Sequence, residues 1–353
     1  MKVLHVIARM NVGGTARYVG DLVSAAPAGF ETLLATGYVQ GSEVEDPCVY
    51  GLPVARISSM GRAINPIADI RAYFQLKRVI REFKPDIVHS HTFKAGLLAR
   101  LVPGSHKRVH TFHGHLFDDQ SFSALQKSVI TFAERFNAKR SDLLVSVGEK
   151  VGRELRAARI GVGKQWASVA PGVKPLKTKP YKGEFVVGWM ARVTSVKNPM
   201  LAVEVARLLP SVNFVMAGGG DLLDEIKAIA PSNLSVIGWA DAAQFWSSVS
   251  VAFSTSDNEG MPIALIEAQL AGIPVVATDV GSNSEVIASG ETGLIVEKNA
   301  AAIAMAISQL AVDSKLRAKM GRAARERALR VFDPEAMIAT HGELYLALFR
   351  PAT

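Results

Sequence analysis

The chain has 353 residues, 49% of them hydrophobic and 20% charged, which exceeds the usual single core and reads as a soluble, globular protein of two domains. A single cysteine, Cys48, excludes an internal disulfide framework, fits a reducing cytosol, and reads as a small apolar loop residue rather than a catalytic thiol. Charge is divided unevenly: residues 1–183 carry 27 Lys and Arg against 14 Asp and Glu, and residues 184–353 carry 13 against 18, within an overall +8.

The opening run "MKVLHVIARM" reaches Arg9 and then glycines, so it is expected to be a first β-strand and not a signal peptide. "NVGGTARYV" follows, between that strand and a first helix, where backbone N–H groups and the helix dipole favour an anion. Gly13 and Gly14 permit close backbone approach there. The stretch is not G-x-G-x-x-G, and the second strand, "ETLLATG", ends without the acidic residue that would hold a dinucleotide ribose. Glu43, Glu45 and Asp46 read as a solvated loop. A helical pattern over 69–83 leads to the strands "DIVHSH", "RVHTFHG" and "DLLVSVG".

His89, His91, His110, His113 and His115 cluster at two of these strand ends. A metal would require them to converge, and neither cysteine partners nor an H-E-x-x-H spacing accompanies them, so no metal is expected. His113, directly before Gly114, is the preferred site histidine and His115 the next; His5 is expected to be packed or supporting. Residues 116–140 mix aromatics and bases in a helical pattern that suits either a membrane surface, a lipid-linked ligand or ordinary amphipathic packing. The basic front half points to an anionic surface or ligand, lipid headgroups before nucleic acid, or else to solvated helix faces.

Residues 171–183, rich in Pro, Gly and Lys, read as a linker. A second series of strands follows: "FVVGWMA", "NFVMAGGG", "LSVIGWA", "VAFSTS", "IPVVATDV" and "GLIVE", alternating with helices. Two such doubly wound α/β units place a ligand cleft beyond the carboxyl ends of their strands, so an interdomain site is expected. "ARVTSVKNP" puts Arg192 and Lys197 in the loop after the first of these strands, where a guanidinium fork and an ammonium suit a diphosphate. Gly218 to Gly220 allow either close approach of a ligand or a plain turn. Glu259 precedes a helix expected to begin near Pro262, taken as its first helical position, which places Glu267 among core-type residues. A buried carboxylate needs a partner, either an internal donor or a ligand hydroxyl. Two long helical patterns, 299–331 and 334–350, close the chain, with Pro334 between them.

Taken together, the early glycine pair, "PDIVHSH", "TFHGH", "ARVTSVKNP", the E-x7-E stretch and "GIPVVATDVGSNSEVI" resemble the retaining GT-B glycosyltransferases of family 4, the glycosyl transferases group 1 type. The resemblance covers nearly the whole chain. It implies two Rossmann-like domains: residues 1–172 with a C-terminal helix of about 337–353 on the acceptor side, a linker at 173–183, and a nucleotide-sugar domain at 184–336. It implies that Arg192 and Lys197 bind the donor's diphosphate and neutralise the leaving group, that Glu259 contacts the donor sugar, and that Glu267 binds the nucleotide ribose. Gly260, Met261, Pro262 and Ile263 match the segment that offers backbone amides to phosphate and sugar, although Pro262 removes one. His113 is placed near the transferred sugar, and Gly13 and Gly14 in the loop that closes over the diphosphate.

The expected activity is therefore transfer of a hexose-type sugar, from UDP more than GDP, to a glycan or lipid-linked acceptor in surface polysaccharide or glycolipid assembly. It is expected to need no cofactor and no metal, since there is no D-x-D motif and Asp118 and Asp119 are adjacent. A cytoplasmic enzyme resting on the inner face of an anionic membrane fits these features, with no nucleic-acid partner. The rivals are an epimerase or a sugar phosphorylase on the same fold, and a non-catalytic nucleotide-sugar-binding protein.

Overall fold

A computed structural model of the chain describes residues 1–41, 43–61, 65–114, 123–179, 181 and 183–350. These form two compact units: among the described residues, one holds 1–114, 123–172 and 334–350, and the other 173–333.

The first unit runs β1 (Lys2–Ile7), α1 (Gly14–Ser24), β2 (Glu31–Thr36), β3 (Val54–Arg56), α2 (Pro66–Phe83), β4 (Ile87–His91), α3 (Phe93–Leu101), β5 (Lys107–Phe112), α4 (Ala124–Ala138), β6 (Leu143–Ser146), α5 (Glu149–Ala157) and β7 (Gln165–Ser168). The seven strands are parallel, in the order β3-β2-β1-β4-β5-β6-β7. Burial on both faces explains why the strands read as nearly continuous apolar runs. The two edge strands lack such a run: β3 has three residues, and "QWAS" of β7 is polar at both ends, so the apolar pattern did not reveal them. α2 starts at Pro66, three residues before the periodic pattern suggests. The side chain of Asn65 caps it by accepting from Ala68 N–H at 3.1 Å, and Pro66 takes the first helical position.

Between α3 and α4 lies a buried ion pair. Arg100 Nη2 donates to Glu134 Oε2 at 2.7 Å while Arg100 Nε donates to the Gly96 carbonyl at 2.8 Å. Cys48 touches the Ala16 carbonyl at 3.9 Å, and desolvation, with Asp46 beside it, pushes its thiol up to about 12.

The second unit runs β8 (Val186–Met190), α6 (Pro199–Leu208), β9 (Asn213–Ala217), α7 (Leu223–Ile229), β10 (Leu234–Gly238), α8 (Ala242–Trp246), β11 (Val251–Ser254), α9 (Ile263–Leu270), β12 (Val275–Thr278), α10 (Asn283–Val286), β13 (Gly293–Val296), α11 (Ala300–Val312) and α12 (Ser314–Val331). Its six parallel strands are ordered β10-β9-β8-β11-β12-β13 around a core that includes Val187, Trp189, Phe214, Phe253 and Val276. The pattern over 299–331 is two helices, not one. Asp313 breaks it and caps the second, accepting from Leu316 N–H at 2.8 Å. The last helix, α13 (Pro334–Ala347), belongs to the first unit, and no helix among the described residues is long and apolar enough to cross a membrane.

Removing one partner of the Arg100–Glu134 pair strands the other charge in a dry interior. Arg100→Met is expected to lower the unfolding free energy by about 3–5 kcal/mol, and adding Glu134→Leu to recover most of that loss, as read by urea denaturation.

Candidate active site

In the second unit the loops that follow β8, β9, β11 and β12 leave the carboxyl ends of their strands, the edge where parallel sheets of this kind gather their ligand groups. Lys197, at the end of the β8 loop, places its Nζ 2.6 Å from Glu259 Oε1 in the β11 loop. Ser256 Oγ donates to the same carboxylate oxygen at 2.7 Å. Glu259 is buried, so these two donors carry the cost of desolvating it. The loop that presents Lys197 is tied to β11 by Thr255, whose hydroxyl lies 3.0 Å and 2.9 Å from the Lys197 and Asn198 carbonyl oxygens and itself accepts from Trp189 Nε1 at 3.0 Å. Asn198 occupies the left-handed region at φ 47°. Its amide reaches Asp257 Oδ1 at 3.2 Å, and its Oδ1 caps α6.

Arg192 shares this loop and is half-buried. Glycines here make room for backbone. A Cβ on Gly218 would lie 1.8 Å from the Ala191 carbonyl oxygen, and one on Gly281, at φ 48°, would lie 1.7 Å from the Glu259 carbonyl oxygen. Gly218 thus admits the chain's own Arg192 loop. Gly281 lets the β12 loop cross directly under Glu259, where Ser282 N–H donates to the Gly260 carbonyl at 3.1 Å.

Pro262 is not the first helical residue. At φ −78° and ψ 103° it is the extended N-cap of α9, its carbonyl accepting from Leu265 at 3.1 Å and Ile266 at 3.3 Å, and the helix begins at Ile263. Gly260 and Met261 precede it, half-buried. Glu267, in the middle of α9, is 3% exposed, and Trp246 Nε1 donates to its Oε2 at 3.5 Å. At that length the bond from the indole to this carboxylate is a weak one.

His113, Gly13 and Gly14 lie in the first unit. Gly13, at φ 150°, is the N-cap of α1, and a Cβ there would meet nothing closer than the Asn11 carbonyl at 4.0 Å. One turn beyond Gly14, Tyr18 sets its ring edge-on to His113 with centroids 4.9 Å apart, so α1 joins the glycine pair to the histidine. Strand register does the rest: His5 of β1 lies beside His89 of β4, and His91 beside Thr111 of β5. His5 Nδ1 meets His91 Nε2 at 3.2 Å, and His91 Nδ1 meets His113 Nε2 at 3.2 Å. His89 bonds the Tyr345 hydroxyl at 2.6 Å and Thr111 Oγ1 at 2.7 Å, and Tyr18 OH bonds His341 Nε2 at 2.6 Å.

Burial holds the imidazoles of His5, His113 and His341 down to about 3, the like charge of His341 adding to the effect on the first two. Desolvation likewise keeps His89, His91 and His110 well below the ordinary range. His5, His89 and His91 offer ring nitrogens within 4.8 Å of one another, the geometry a metal would use, yet every one of these rings already has a neutral partner.

The sequence pointed to the histidines but not to Tyr18, His341 and Tyr345, which pack against them; the i, i+4 spacing of His341 and Tyr345 on one helix was the available signal. Ser256 and Gly281 were likewise hidden. His115, Asp118 and Asp119 lie outside the described residues.

Comparison with known proteins gives two family matches: residues 13–171 fit the glycosyl transferase 4-like domain and residues 174–327 the glycosyl transferases group 1 model. The UDP-Gal:alpha-D-GlcNAc-diphosphoundecaprenol alpha-1,3-galactosyltransferase of Escherichia coli is 27% identical over 274 residues, 69% of this chain and 70% of that protein. The N,N'-diacetylbacillosaminyl-diphospho-undecaprenol alpha-1,3-N-acetylgalactosaminyltransferase of Campylobacter jejuni is 23% identical over 84% of this chain and 86% of its own. Among solved structures, sucrose-phosphate synthase from Thermosynechococcus elongatus matches with TM-score 0.86 at 19% identity, covering 99% of each chain. HepE of Anabaena, solved with UDP and glucose, matches with TM-score 0.80 at 17% identity over 98% of this chain and 100% of that one. At these identities the structural matches speak to the fold.

The neutral histidines make stability depend on pH. Each binds a proton near pH 6.5 when unfolded but only at much lower pH when folded, so its contribution is complete above about pH 6.5 and drains as the pH falls toward the folded values. The five fully buried rings, His5, His89, His91, His110 and His341, all act in this direction. Urea midpoints are expected to fall steeply from pH 7 to pH 5; a flat profile there overturns the assignment of neutral rings.

Proposed function

Since the chain belongs to the glycosyl transferases group 1 family and is a glycosyltransferase of GT-B fold, we propose that it moves a hexose-type sugar from a nucleoside-diphosphate donor, UDP in preference to GDP, to a lipid-linked or glycan acceptor in cell-surface polysaccharide or glycolipid assembly. Retention of anomeric configuration and independence of metal are part of the proposal. The observation that supports it most is the Lys197–Glu259–Ser256 cluster at the carboxyl edge of the second sheet. There the cation suited to a diphosphate is ion-paired to the carboxylate that would meet the sugar, so the two halves of a donor have adjacent places. Departure of a nucleoside diphosphate builds negative charge; Arg192 and Lys197 are the residues to stabilise it without a bound ion. Relatives named for diphosphoundecaprenol-linked acceptors support the acceptor class.

Such an acceptor lies at a membrane, and α4 offers a matching surface. Leu125, Val129, Phe132 and Phe136 are exposed at i, i+4, i+7 and i+11, one face of the helix. Phe132 and Phe136 share a shallow groove with Arg135, Lys139, Arg159 and Val162, and the Arg140 guanidinium sits 3.8 Å over the Phe136 ring. Apolar groups rimmed by cations suit an anionic bilayer at the inner face of the membrane.

Nucleoside diphosphate release from UDP-glucose, UDP-N-acetylglucosamine, UDP-galactose and GDP-mannose, with a lipid-phosphate-sugar extract and with or without chelator, tests the reaction. Release from a UDP-sugar that needs acceptor and survives chelation is expected. Epimer exchange without acceptor points to an epimerase, sugar 1-phosphate formed with inorganic phosphate to a phosphorylase, and no donor binding sinks the donor assignment. Glu267→Ala is expected to weaken nucleotide binding by roughly 10- to 100-fold, as loss of a hydrogen bond to a charged group does. Arg192→Ala is expected to slow turnover by roughly 100-fold or more with a smaller effect on KM. In flotation assays the protein is expected to bind vesicles containing phosphatidylglycerol but not pure phosphatidylcholine, and V129S/F132S to lose about ten-fold in binding while keeping its donor affinity.

A further inference from the structure

The three rings His5, His91 and His113 form an unbranched hydrogen-bonded row, Nδ1 to Nε2 and again Nδ1 to Nε2, each contact at 3.2 Å. A neutral imidazole has one N–H and one lone pair. His91 uses both of its nitrogens in the row, so it donates through one and accepts through the other. That removes the independence of the three tautomers. If His113 donates from Nε2, His91 must carry its proton on Nε2 and pass it toward Nδ1 of His5, and all three rings are Nε2–H. If the direction reverses, all three are Nδ1–H. Any mixed state sets two lone pairs or two hydrogens against each other in a largely buried row, which buried polar groups do not tolerate.

One feature selects the first arrangement. The Nε2–H form is intrinsically the more stable tautomer of a neutral histidine, and here that preference is counted three times. The charged alternative is closed by burial, which lowers the proton affinity of all three rings. Neighbours fix the ring planes without joining the row: Tyr18 stands edge-on to His113 at 4.9 Å, and His89 spends its two nitrogens on Tyr345 and Thr111. Within His113, Nε2 is committed to the row, so Nδ1 is the nitrogen left for a ligand.

We propose that His5 and His91 are positioning residues that hold His113 in its Nε2–H tautomer, so that His113 presents an accepting Nδ1 to a hydroxyl group of the bound sugar. His113 then orients that hydroxyl as a neutral acceptor and donates nothing to it. The tautomer row stands on the first unit alone; its effect on turnover rests on the proposed glycosyl transfer and on His113 meeting the donor sugar, as the family resemblance implies.

Long-range proton–nitrogen correlation spectra of the histidine-labelled protein at pH 7.5, with His113 assigned by its absence in His113→Asn, report the tautomers without substrate. His5, His91 and His113 are expected to show the Nε2–H pattern in the unsubstituted protein; an Nδ1–H pattern at His113 overturns the proposal without needing any variant to fold. His91→Leu is expected to leave His113 as a mixture and to lower kcat about ten-fold, with acceptor KM little changed. His91→Gln, whose amide accepts and donates along the same line, is expected to restore both the tautomer and most of kcat. An unchanged His113 pattern in His91→Leu overturns the row. A shifted tautomer with unchanged kcat upholds the row and overturns the placing of His113 against the sugar.

Discussion

A parallel sheet covered by helices on both faces gives its central strands no water, and every polar side chain on such a strand has to be neutral and bonded inside the protein. That constraint shapes the first unit. Its three middle strands carry His5, His89, His91 and His110, four groups that in solvent would titrate near neutrality, and the sheet register stacks them side by side. Each finds a neutral partner in another ring, a hydroxyl or Ser90, whose Oγ meets His110 Nδ1 at 2.9 Å. The polar interior is thus a network whose members depend on one another for satisfaction, and the ring at its edge, His113, inherits its hydrogen-bonding character from residues far from solvent.

The second unit solves a different problem with the same topology. Its strand ends deliver charged groups instead of neutral ones, on loops whose backbones pass very close to one another. Gly281 and Gly218 are points where two loops touch through main chain, and a side chain at either would push the Glu259 or Arg192 loop outward. Thr255, fastened to Trp189 on one side and to the Lys197 and Asn198 carbonyls on the other, holds the cationic loop at its height above the sheet. Positions of charge in this unit are set by glycines and one hydroxyl, while their chemistry is set by Lys197, Glu259 and Ser256.

Much of this was legible in the sequence because doubly buried strands announce themselves as apolar runs, and all eleven runs read as strands are strands. The edge strands β3 and β7 were not legible, since a strand paired on one side alone needs no continuous apolar pattern. Helix starts failed where a polar cap precedes the periodic face, as at Asn65, or where proline caps from outside the helix, as at Pro262. Paired charges at loop ends were visible as residue types, but which carboxylate meets which cation was not, because Lys197 and Glu259 are 62 residues apart. The histidines were visible and their partners were not: Tyr18, His341 and Tyr345 come from α1 and α13, and contact across 256 or 323 residues leaves no local trace.

That last separation has a consequence for how the molecule is made. The first unit is interrupted by the whole of the second, and its buried hydroxyl and imidazole partners at 341 and 345 lie on the far side of that insertion in the chain. Without α13, Tyr18 and His89 lack these partners, so the first unit is not complete until the whole of the second has been synthesised. A chain truncated before residue 334 would carry a complete charged cluster on its second unit and an unsealed first one.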